Sequence, residues 1–228
     1  MEAIILAGGL GTRLKDAVPL LPKSLAPVNG RPFIGYILDY LQTQGITKFI
    51  FALGYKSAMI ESFLKTDYPE LRYAISFEDE PLGTGGAIAK AMHLAKSEMV
   101  FVTNGDTLYK ASLHPLVAQM QGHSCSACLC LKPMQHFSRY GTVEINEAGL
   151  LTSFNEKQYC KDGLINGGIY LINKSRFLTT IGASVKFSFE EQFLLPAVKQ
   201  NALCGVIDNG YFIDIGIPED FERASAEL

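Results

Sequence analysis

A glycine-rich segment close to the start of the chain carries the first residues that could do chemistry. The apolar run 3–7 is followed by three glycines within four positions and then by Arg13. Glycine lets backbone N–H groups approach an anion closely, because it has no Cβ and accepts positive φ. An arginine supplies a fixed, planar charge to phosphate oxygens. The segment therefore predicts a phosphate-binding loop, with a tightly packed turn as the alternative.

The amino-acid sequence of this loop argues against two common nucleotide-binding motifs. The Walker A sequence G-x-x-x-x-G-K-[ST] does not occur in the chain. The dinucleotide fingerprint G-x-G-x-x-G, counted from Gly9, needs a third glycine where Leu14 stands. P-loop chemistry and nicotinamide-dependent oxidation are therefore both disfavoured.

A lysine and two aspartates extend the candidate site beyond the glycines. Lys23 lies between Pro22 and Pro27, in a stiff, apolar stretch that differs from an ordinary solvated loop. Asp106 and Asp214 each follow an apolar run, which predicts a place at the carboxyl end of a strand, where open α/β sheets bind their ligands. Two carboxylates, phosphate oxygens and water form the oxygen shell that Mg²⁺ prefers. Taken alone, either aspartate would also suit a turn or a helix cap.

The elements that must position these residues alternate along the chain. Short apolar runs rich in β-branched and aromatic residues alternate with stretches of helical period, which is typical of a parallel sheet covered by helices. Strands are predicted at 3–7, 48–53, 73–78 and 99–103, and helices at 33–44, 87–95, 189–199 and 218–226. After Gly122, short runs separated by polar turns predict a small added β region. A length of 228 residues and a hydrophobic fraction of 48% suit one domain spanning 1–228.

Composition and charge exclude several classes of partner. The net charge of −3 and the isoelectric point near 5.8 give no general attraction to nucleic acids or anionic membranes. No run approaches the roughly 18 apolar residues of a membrane span, and no basic region precedes the N-terminal apolar run, so a cytoplasmic protein is expected. Five cysteines, three of them within 125–130, are expected to be reduced thiols in a buried strand and to bind no metal.

The order of the motifs along the chain is more specific than any one of them. It resembles the signature of the sugar-1-phosphate nucleotidyltransferases, the pyrophosphorylases that make nucleotide sugars. The matching segments are Gly8 to Leu14, Pro22 to Val28, Glu80 to Gly86, Asn104 to Asp106, Glu156 with Lys157, Asn166 to Tyr170 and Phe212 to Gly216.

This resemblance implies a fold and a reaction. The fold is a Rossmann-like three-layer αβα domain with a mixed, mostly parallel central sheet, in which 1–122 mainly binds the nucleotide and 123–228 mainly binds the sugar phosphate. In the reaction, an oxygen of a sugar 1-phosphate attacks the α-phosphorus of a nucleoside triphosphate and pyrophosphate leaves, with Mg²⁺ as the cofactor. No nucleic acid or membrane partner is expected, and the chain would act as a monomer or homodimer.

The resemblance also assigns roles to residues. Arg13, Lys23 and Asp106 are expected to be catalytic, and Asp106 and Asp214 are expected to hold the metal. The nucleotide-binding residues would be Leu6, Ala7, Gly8, Gly9, Gly11, Thr12, Arg13, Lys23, Glu80, Pro81, Gly83, Thr84, Gly85, Asn104 and Gly105. The sugar-phosphate-binding residues would be Tyr140, Gly141, Glu156, Lys157, Asn166, Gly167 and Gly168.

A narrower resemblance concerns the substrates. The segments 165–168, 187–190 and 208–220 are similar to those of the D-glycero-α-D-manno-heptose 1-phosphate guanylyltransferases, which make GDP-heptose from GTP for bacterial surface glycans. Mannose-1-phosphate guanylyltransferase and N-acetylmuramate-1-phosphate uridylyltransferase activities remain alternatives, because a few groups around the nucleobase decide the base. A regulatory subunit that binds nucleotide sugars without catalysis is disfavoured, since Arg13, Lys23 and both aspartates are present.

Overall fold

A nine-stranded sheet forms the centre of the fold in the computed structural model, which describes residues 1–9, 18, 20–155 and 157–228. Within these residues the strands are β1 Glu2–Leu6, β2 Pro27–Val28, β3 Arg31–Pro32, β4 Lys48–Leu53, β5 Tyr73–Phe77, β6 Met99–Asn104, β7 Thr107–Tyr109, β8 Ala127–Phe137, β9 Thr142–Ile145, β10 Leu151–Phe154, β11 Cys160–Asn173, β12 Leu203–Ile207 and β13 Phe212–Asp214. The helices are α1 Phe33–Thr43, α2 Ser57–Asp67, α3 Gly83–Met92, α4 His114–Gly122, α5 Lys174–Ile181, α6 Leu195–Lys199 and α7 Pro218–Glu227.

The strand order brings four carboxyl ends to one edge of the sheet. The order is β10-β9-β11-β6-β1-β4-β5, with β8 paired to β11 and β12 paired to β8. Strands β6, β1, β4 and β5 are parallel neighbours, whereas β11 runs antiparallel to β6. The predicted α/β class with a mixed central sheet is therefore confirmed. The edge where the four parallel strands end is the place where such sheets bind ligands.

Helices cover both faces of the sheet because alternate residues of each buried strand point to opposite sides. In β1, Ile5 packs in one hydrophobic cluster with Ile37 of α1. Its neighbour Ile4 packs in a second cluster with Ile88 of α3. The result is the predicted arrangement of three layers, and it fixes β1 and the glycines after it at the centre of the molecule.

The predicted elements near the site are confirmed, with some shifted ends. Strand β4 has the predicted bounds, and α1 is followed by Gly45 at φ +82°, the left-handed conformation that favours glycine after a helix. Helix α3 begins at Gly83, earlier than the predicted start at 87. The predicted helix 189–199 is divided into a π-helical turn, Glu190–Leu194, and α6. Pro196 lies in the first turn of α6, where its missing N–H costs little.

The strands after Gly122 extend the central sheet, and two small ribbons stand apart from it. Strand β8 pairs with both β11 and β12, and β9 pairs with β11 and β10. The ribbons are the antiparallel pairs β2–β3 and β7–β13. The cysteines at 125, 128 and 130 are free and buried, as predicted. Among the described residues, the helices are all too short or too polar to cross a bilayer.

Candidate active site

A cavity of about 490 Å³ opens at the carboxyl edge of the four parallel strands. Its walls come from the ends of β1, β4, β5 and β6, from the start of α3, and from the segments that carry Lys23 and Asp214. The described residues that line it are Leu6, Ala7, Gly8, Gly9, Lys23, Ser24, Ala52, Glu78, Pro81, Gly83, Thr84, Ala87, Asn104, Gly105, Asp106, Thr107, Asp214 and Gly216. The cavity therefore brings together residues predicted from both glycine segments, the lysine and both aspartates.

Lys23 reaches the cavity from a short 3₁₀ turn, Lys23–Leu25. The backbone N–H groups of Leu25 and Ala26 donate to the carbonyls of Pro22 and Lys23 at 2.8 and 3.0 Å. Leu25 and Ala26 are themselves buried in the core. Because these apolar residues anchor the turn, the lysine side chain is held in the cavity, where only 13% of it is exposed.

A small antiparallel ribbon brings the two aspartates together. Asp106 directly precedes β7, and Asp214 ends β13, where it pairs with Thr107. The backbone N–H of Ile215 also donates to the carbonyl of Asp106 at 3.1 Å. Two residues that are distant in sequence thus present their carboxylates at the same wall of the cavity.

One ammonium group lies between these carboxylates. Lys23 Nζ is 2.5 Å from Oδ2 of Asp106 and 3.7 Å from Oδ1 of Asp214. Oδ1 of Asp214 also accepts the backbone N–H of Gly216 at 2.8 Å. Burial and the neighbouring Asp106 charge raise the pKa of Asp214, and together they outweigh the lowering by Lys23 and Gly216. The two carboxylates therefore have more negative charge than one lysine offsets.

The same convergence allows a test of the predicted Mg²⁺ site. Asp106 and Asp214 offer hard oxygen donors, and the position of Lys23 shows that both reach a single cation. The donor set therefore fits Mg²⁺. No group of three or more metal-ligating side chains occurs in the part of the chain that the structure describes. A metal held here would take its other ligands from substrate phosphates and water.

Tyr140 and Arg139 approach the other oxygen of Asp214. The Tyr140 hydroxyl lies 3.5 Å and the Arg139 guanidinium 4.0 Å from Oδ2. Arg139 also pairs at 2.6 Å with Asp220 in the first turn of α7. Burial and the Asp214 charge raise the pKa of Tyr140 to about 12, so its hydroxyl stays neutral. Tyr140, predicted to bind the sugar phosphate, therefore lies beside a predicted metal ligand.

The second glycine segment forms the start of α3. The N–H of Gly85 donates to the carbonyl of Phe187 at 3.0 Å, and the Thr84 hydroxyl accepts the N–H of Phe189 at 3.1 Å. A Cβ on Gly85 would overlap the ring of Phe187. Gly85 therefore allows the segment 187–189 to pack against the helix, and this packing turns the predicted loop into a helical turn.

The residues of the second glycine segment do not all face the cavity. Pro81, Gly83 and Thr84 line it. Glu80 is exposed and Gly85 faces Phe187, so both lie outside the lining.

Asn166, Gly167 and Gly168 form an irregular step in β11, where the register with β8 shifts. The Asn166 side chain accepts the N–H of Gly168 at 3.1 Å and donates to the Tyr170 hydroxyl at 2.7 Å. A Cβ on Gly168 would lie 2.8 Å from Nδ2 of Asn104, which lines the cavity. The amide of Asn166 is thus engaged within the protein, and the step supports the wall behind Asn104.

Several predicted residues lie apart from the cavity lining or outside the described residues. Gly141 is half-buried and Lys157 is exposed, and neither lines the cavity. The predictions for Gly11, Thr12, Arg13 and Glu156 lie outside the described residues.

Six lining residues were not predicted from the sequence. They are Ser24, Ala52, Glu78, Ala87, Thr107 and Gly216. Glu78 follows β5 as Asp106 follows β6, so its place after an apolar run is a signal that could have identified it.

Comparison with known proteins agrees with this geometry. The chain matches the nucleotidyl transferase family over residues 2–228, and it belongs to that family. It is 45% identical to the D-glycero-alpha-D-manno-heptose 1-phosphate guanylyltransferase of Aneurinibacillus thermoaerophilus, over 100% of this chain and 98% of the relative. The enzyme of the same name from Campylobacter jejuni is also 45% identical, over 97% of each chain.

The similarity extends to solved structures. The crystal structure of HddC from Yersinia pseudotuberculosis superposes with a TM-score of 0.88 at 33% identity, covering 99% of this chain and 98% of the other. A structure of HddC complexed with GMP-PN superposes with a TM-score of 0.85 at 32% identity, over the same shares of the two chains.

Proposed function

We propose that this chain transfers a guanylyl group from GTP to D-glycero-α-D-manno-heptose 1-phosphate and releases pyrophosphate. The observation that carries the proposal is the 45% identity, over essentially the whole chain, to two enzymes named for this activity. The cavity supports it, because Lys23, Asp106 and Asp214 converge at one end of a space lined by glycine backbone. With GTP and a sugar phosphate as substrates, the place of action we propose is the cytoplasm.

The reaction requires no covalent intermediate with the protein. A phosphate oxygen of the sugar 1-phosphate forms a bond to the α-phosphorus of GTP, and the bond from that phosphorus to the bridging oxygen of the β-phosphate breaks. The electron pair leaves with pyrophosphate. The barrier is dominated by repulsion between anions and by charge that develops on the leaving group. The protein therefore contributes mainly positioning and positive charge.

Lys23 is the cation that the described residues place in the cavity lining. Its ammonium has three N–H donors and lies on a flexible stem, so it can turn from the aspartates toward a phosphate oxygen without any change in the anchored turn below it. In this proposal Lys23 orients the α-phosphate. Arg13, which the family resemblance places on the β- and γ-phosphates, remains a prediction.

Asp106 and Asp214 are the residues that would hold Mg²⁺. The ion, when bound, would offset negative charge on the triphosphate. The two carboxylates determine where the positive charge of the ion would lie, because β7 and β13 hold them side by side. Gly216 N–H orients one oxygen of Asp214, and Tyr140 lies beside the other.

The sugar phosphate is assigned to the half of the chain after residue 122. Lys157 is exposed and free to reach a phosphate, and Glu156 is proposed to accept hydrogen bonds from sugar hydroxyls. The Asn166 amide is already hydrogen-bonded to Gly168 and Tyr170. The segment 166–168 would therefore contribute to the shape of the sugar pocket.

Pyrophosphate release with Mg²⁺ tests the proposal. GTP, UTP, dTTP, CTP and ATP are each paired with heptose, mannose, glucose and N-acetylmuramate 1-phosphates. Release that is strong only for GTP with the heptose phosphate is expected. If another pair gives the strongest pyrophosphate release, the substrate assignment is overturned. If folded protein releases no pyrophosphate with any pair, the assignment as an enzyme is overturned.

A variant pair tests the residues. Asp106→Asn should fold normally and lose nearly all turnover, because a neutral amide is a poor Mg²⁺ ligand. Asp162→Asn, an exposed carboxylate on β11 that bonds to Gln135, is the matched control for the loss of one charge. Equal activity in the two variants would show that Asp106 is not part of the active site.

A further inference from the structure

Two cationic side chains among the described residues lie within 4.0 Å of the Asp214 carboxylate. Lys23 is 3.7 Å from Oδ1, and Arg139 is 4.0 Å from Oδ2. Each can compete with a metal ion, because a carboxylate that is paired with one cation attracts a second cation less strongly. Arg139 is a strong competitor by its chemistry, since its planar guanidinium can form two parallel hydrogen bonds to a carboxylate. The place where Arg139 is held therefore affects the cation site.

Asp220 holds Arg139 away from Asp214. Nη1 of Arg139 lies 2.6 Å from Oδ2 of Asp220, whereas the 4.0 Å from Nη2 to Asp214 is too long for a hydrogen bond. Nη2 donates instead to the Tyr140 hydroxyl at 3.0 Å. The Asp220 side chain is only 15% exposed, so water and salt screen its attraction for Arg139 weakly.

Helix α7 fixes Asp220 in this position. Asp220 lies in the first turn of the helix, where the helix dipole favours a carboxylate. One turn later, Arg223 approaches Oδ1 of Asp220 at 3.3 Å, so each oxygen of Asp220 faces a different arginine. Ala224 is fully buried in the core and anchors the helix. Asp220 is thus a fixed counter-ion beside the cavity.

The Tyr140 hydroxyl takes its orientation from Arg139. A phenolic hydroxyl has one hydrogen, and a guanidinium cannot accept a hydrogen bond. Because Arg139 donates to the Tyr140 oxygen, the hydroxyl hydrogen is left for Oδ2 of Asp214, 3.5 Å away. Oδ2 therefore faces a neutral hydroxyl in place of a full positive charge.

We infer that Asp220 is a positioning residue of the cation site, which keeps Arg139 in an ion pair and so prevents it from neutralising Asp214. This inference rests on the proposed function, in which Asp106 and Asp214 hold Mg²⁺. Asp220 does not line the cavity, and it acts through Arg139. Without Asp220, the guanidinium would need to move by only about 1 Å to form a charge-assisted hydrogen bond with Asp214.

The test is Mn²⁺ binding to the nucleotide-free protein, followed by the electron paramagnetic resonance signal of the free ion. Asp220→Asn should bind Mn²⁺ about threefold to tenfold more weakly than wild type, because the released Arg139 pairs with Asp214 in a partly exposed setting. Glu222→Gln is the matched control, since it removes an exposed carboxylate from the same helix. This control should keep the wild-type affinity.

Two double variants determine whether Asp220 acts through Arg139. Asp220→Asn combined with Arg139→Gln removes the competing cation, so this double variant should regain the wild-type Mn²⁺ affinity. Asp220→Asn combined with Arg223→Gln has the same net charge but leaves Arg139 free, so its affinity should stay as low as that of Asp220→Asn. If Asp220 only stabilised α7, or acted only through net charge, the two double variants would have equal affinities.

The outcomes separate the inference from the proposed function. Weaker Mn²⁺ binding by Asp220→Asn that Arg139→Gln reverses, and Arg223→Gln does not, supports the inference. Wild-type affinity in Asp220→Asn, or equal affinities in the two double variants, overturns the inference and leaves the metal assignment standing. A wild-type protein that binds no Mn²⁺ overturns both. If Asp220→Asn fails to fold, Arg139→Gln alone decides: unchanged or tighter Mn²⁺ binding supports the inference, and weaker binding overturns it.

Discussion

Replacement of Lys23 by methionine should increase the affinity of the nucleotide-free protein for a divalent cation. Lys23 Nζ lies 2.5 Å from Asp106 and 3.7 Å from Asp214, and the three side chains are 13%, 34% and 24% exposed. The ammonium therefore occupies the place where these carboxylates would hold a metal. Without it, two negative charges face each other with only partial access to water.

The size of the effect follows from the distances. A unit charge pair about 4 Å apart is worth about 4 kcal/mol at an effective dielectric constant of about 20. Partial exposure of both aspartates reduces this by roughly half, which leaves about 1.5–3 kcal/mol and predicts a gain of about tenfold to hundredfold in affinity. The same repulsion should lower the thermal midpoint of Lys23→Met without metal and raise it steeply as metal is added.

The assay is titration with Mn²⁺, followed by the electron paramagnetic resonance signal of the free ion. Lys90→Met is the control, because it removes an equal charge from an exposed pair with Asp79 at 4.0 Å. Lys23→Met should bind Mn²⁺ at least tenfold more tightly than either the wild type or Lys90→Met. Equal Mn²⁺ affinity in the two variants would refute the electrostatic reasoning, and a loss of affinity would mean that Asp106 and Asp214 do not form the cation site.

Three further predictions concern stability. The folded-state pKa of Asp214 lies above its usual value of 3.8, so its charge destabilises the metal-free protein at neutral pH. Asp214→Asn should therefore raise the thermal midpoint at pH 7 and lose this advantage as the pH falls through that raised pKa; equal midpoints at pH 7 would contradict this. Burial raises the pKa of Glu2, but hydrogen bonds from the Lys48 ammonium and from the N–H groups of Ser97 and Lys96 lower it by a larger amount, so that the pKa is about 2. This net lowering of the pKa corresponds to about 3 kcal/mol of stability. That stability is present above pH 4.5 and disappears as the pH falls toward 2, so Glu2→Gln should lower the urea midpoint at pH 7 and converge with wild type in acid. Gly85→Ala should lose about 1–3 kcal/mol because its Cβ overlaps the Phe187 ring, as measured by urea unfolding; Gly122→Ala, with open space around its Cβ, should show no such loss.

The sequence was sufficient to predict the parts of the site that depend on local pattern. Buried parallel strands are continuous apolar runs, so the ends of β1 and β6 can be located from the sequence pattern alone. The glycines after β1 and Asp106 after β6 therefore have predictable positions. Lys23 is predictable for a different reason, because prolines and buried neighbours restrict the turn that carries it.

Other parts depend on contacts that a local pattern does not contain. Strands β7 and β13 have three residues each, too few for a periodic signal, so the meeting of Asp106 and Asp214 depends on long-range pairing. Helix α2 buries little beyond Ile60 and Leu64, which weakens its apolar stripe. Three acidic residues follow β5, and only the turn into α3 determines that Glu78 faces the cavity while Glu80 faces solvent.

The pairing of β7 with β13 brings the two aspartates together only late in protein synthesis. When the ribosome has translated β11, the nascent chain already contains Lys23 and Asp106, and these two residues can form a neutral pair. The second carboxylate is added only when β13 emerges and aligns with β7. A partly translated chain therefore lacks the doubly negative wall, and the pairing of β13 with β7 completes it.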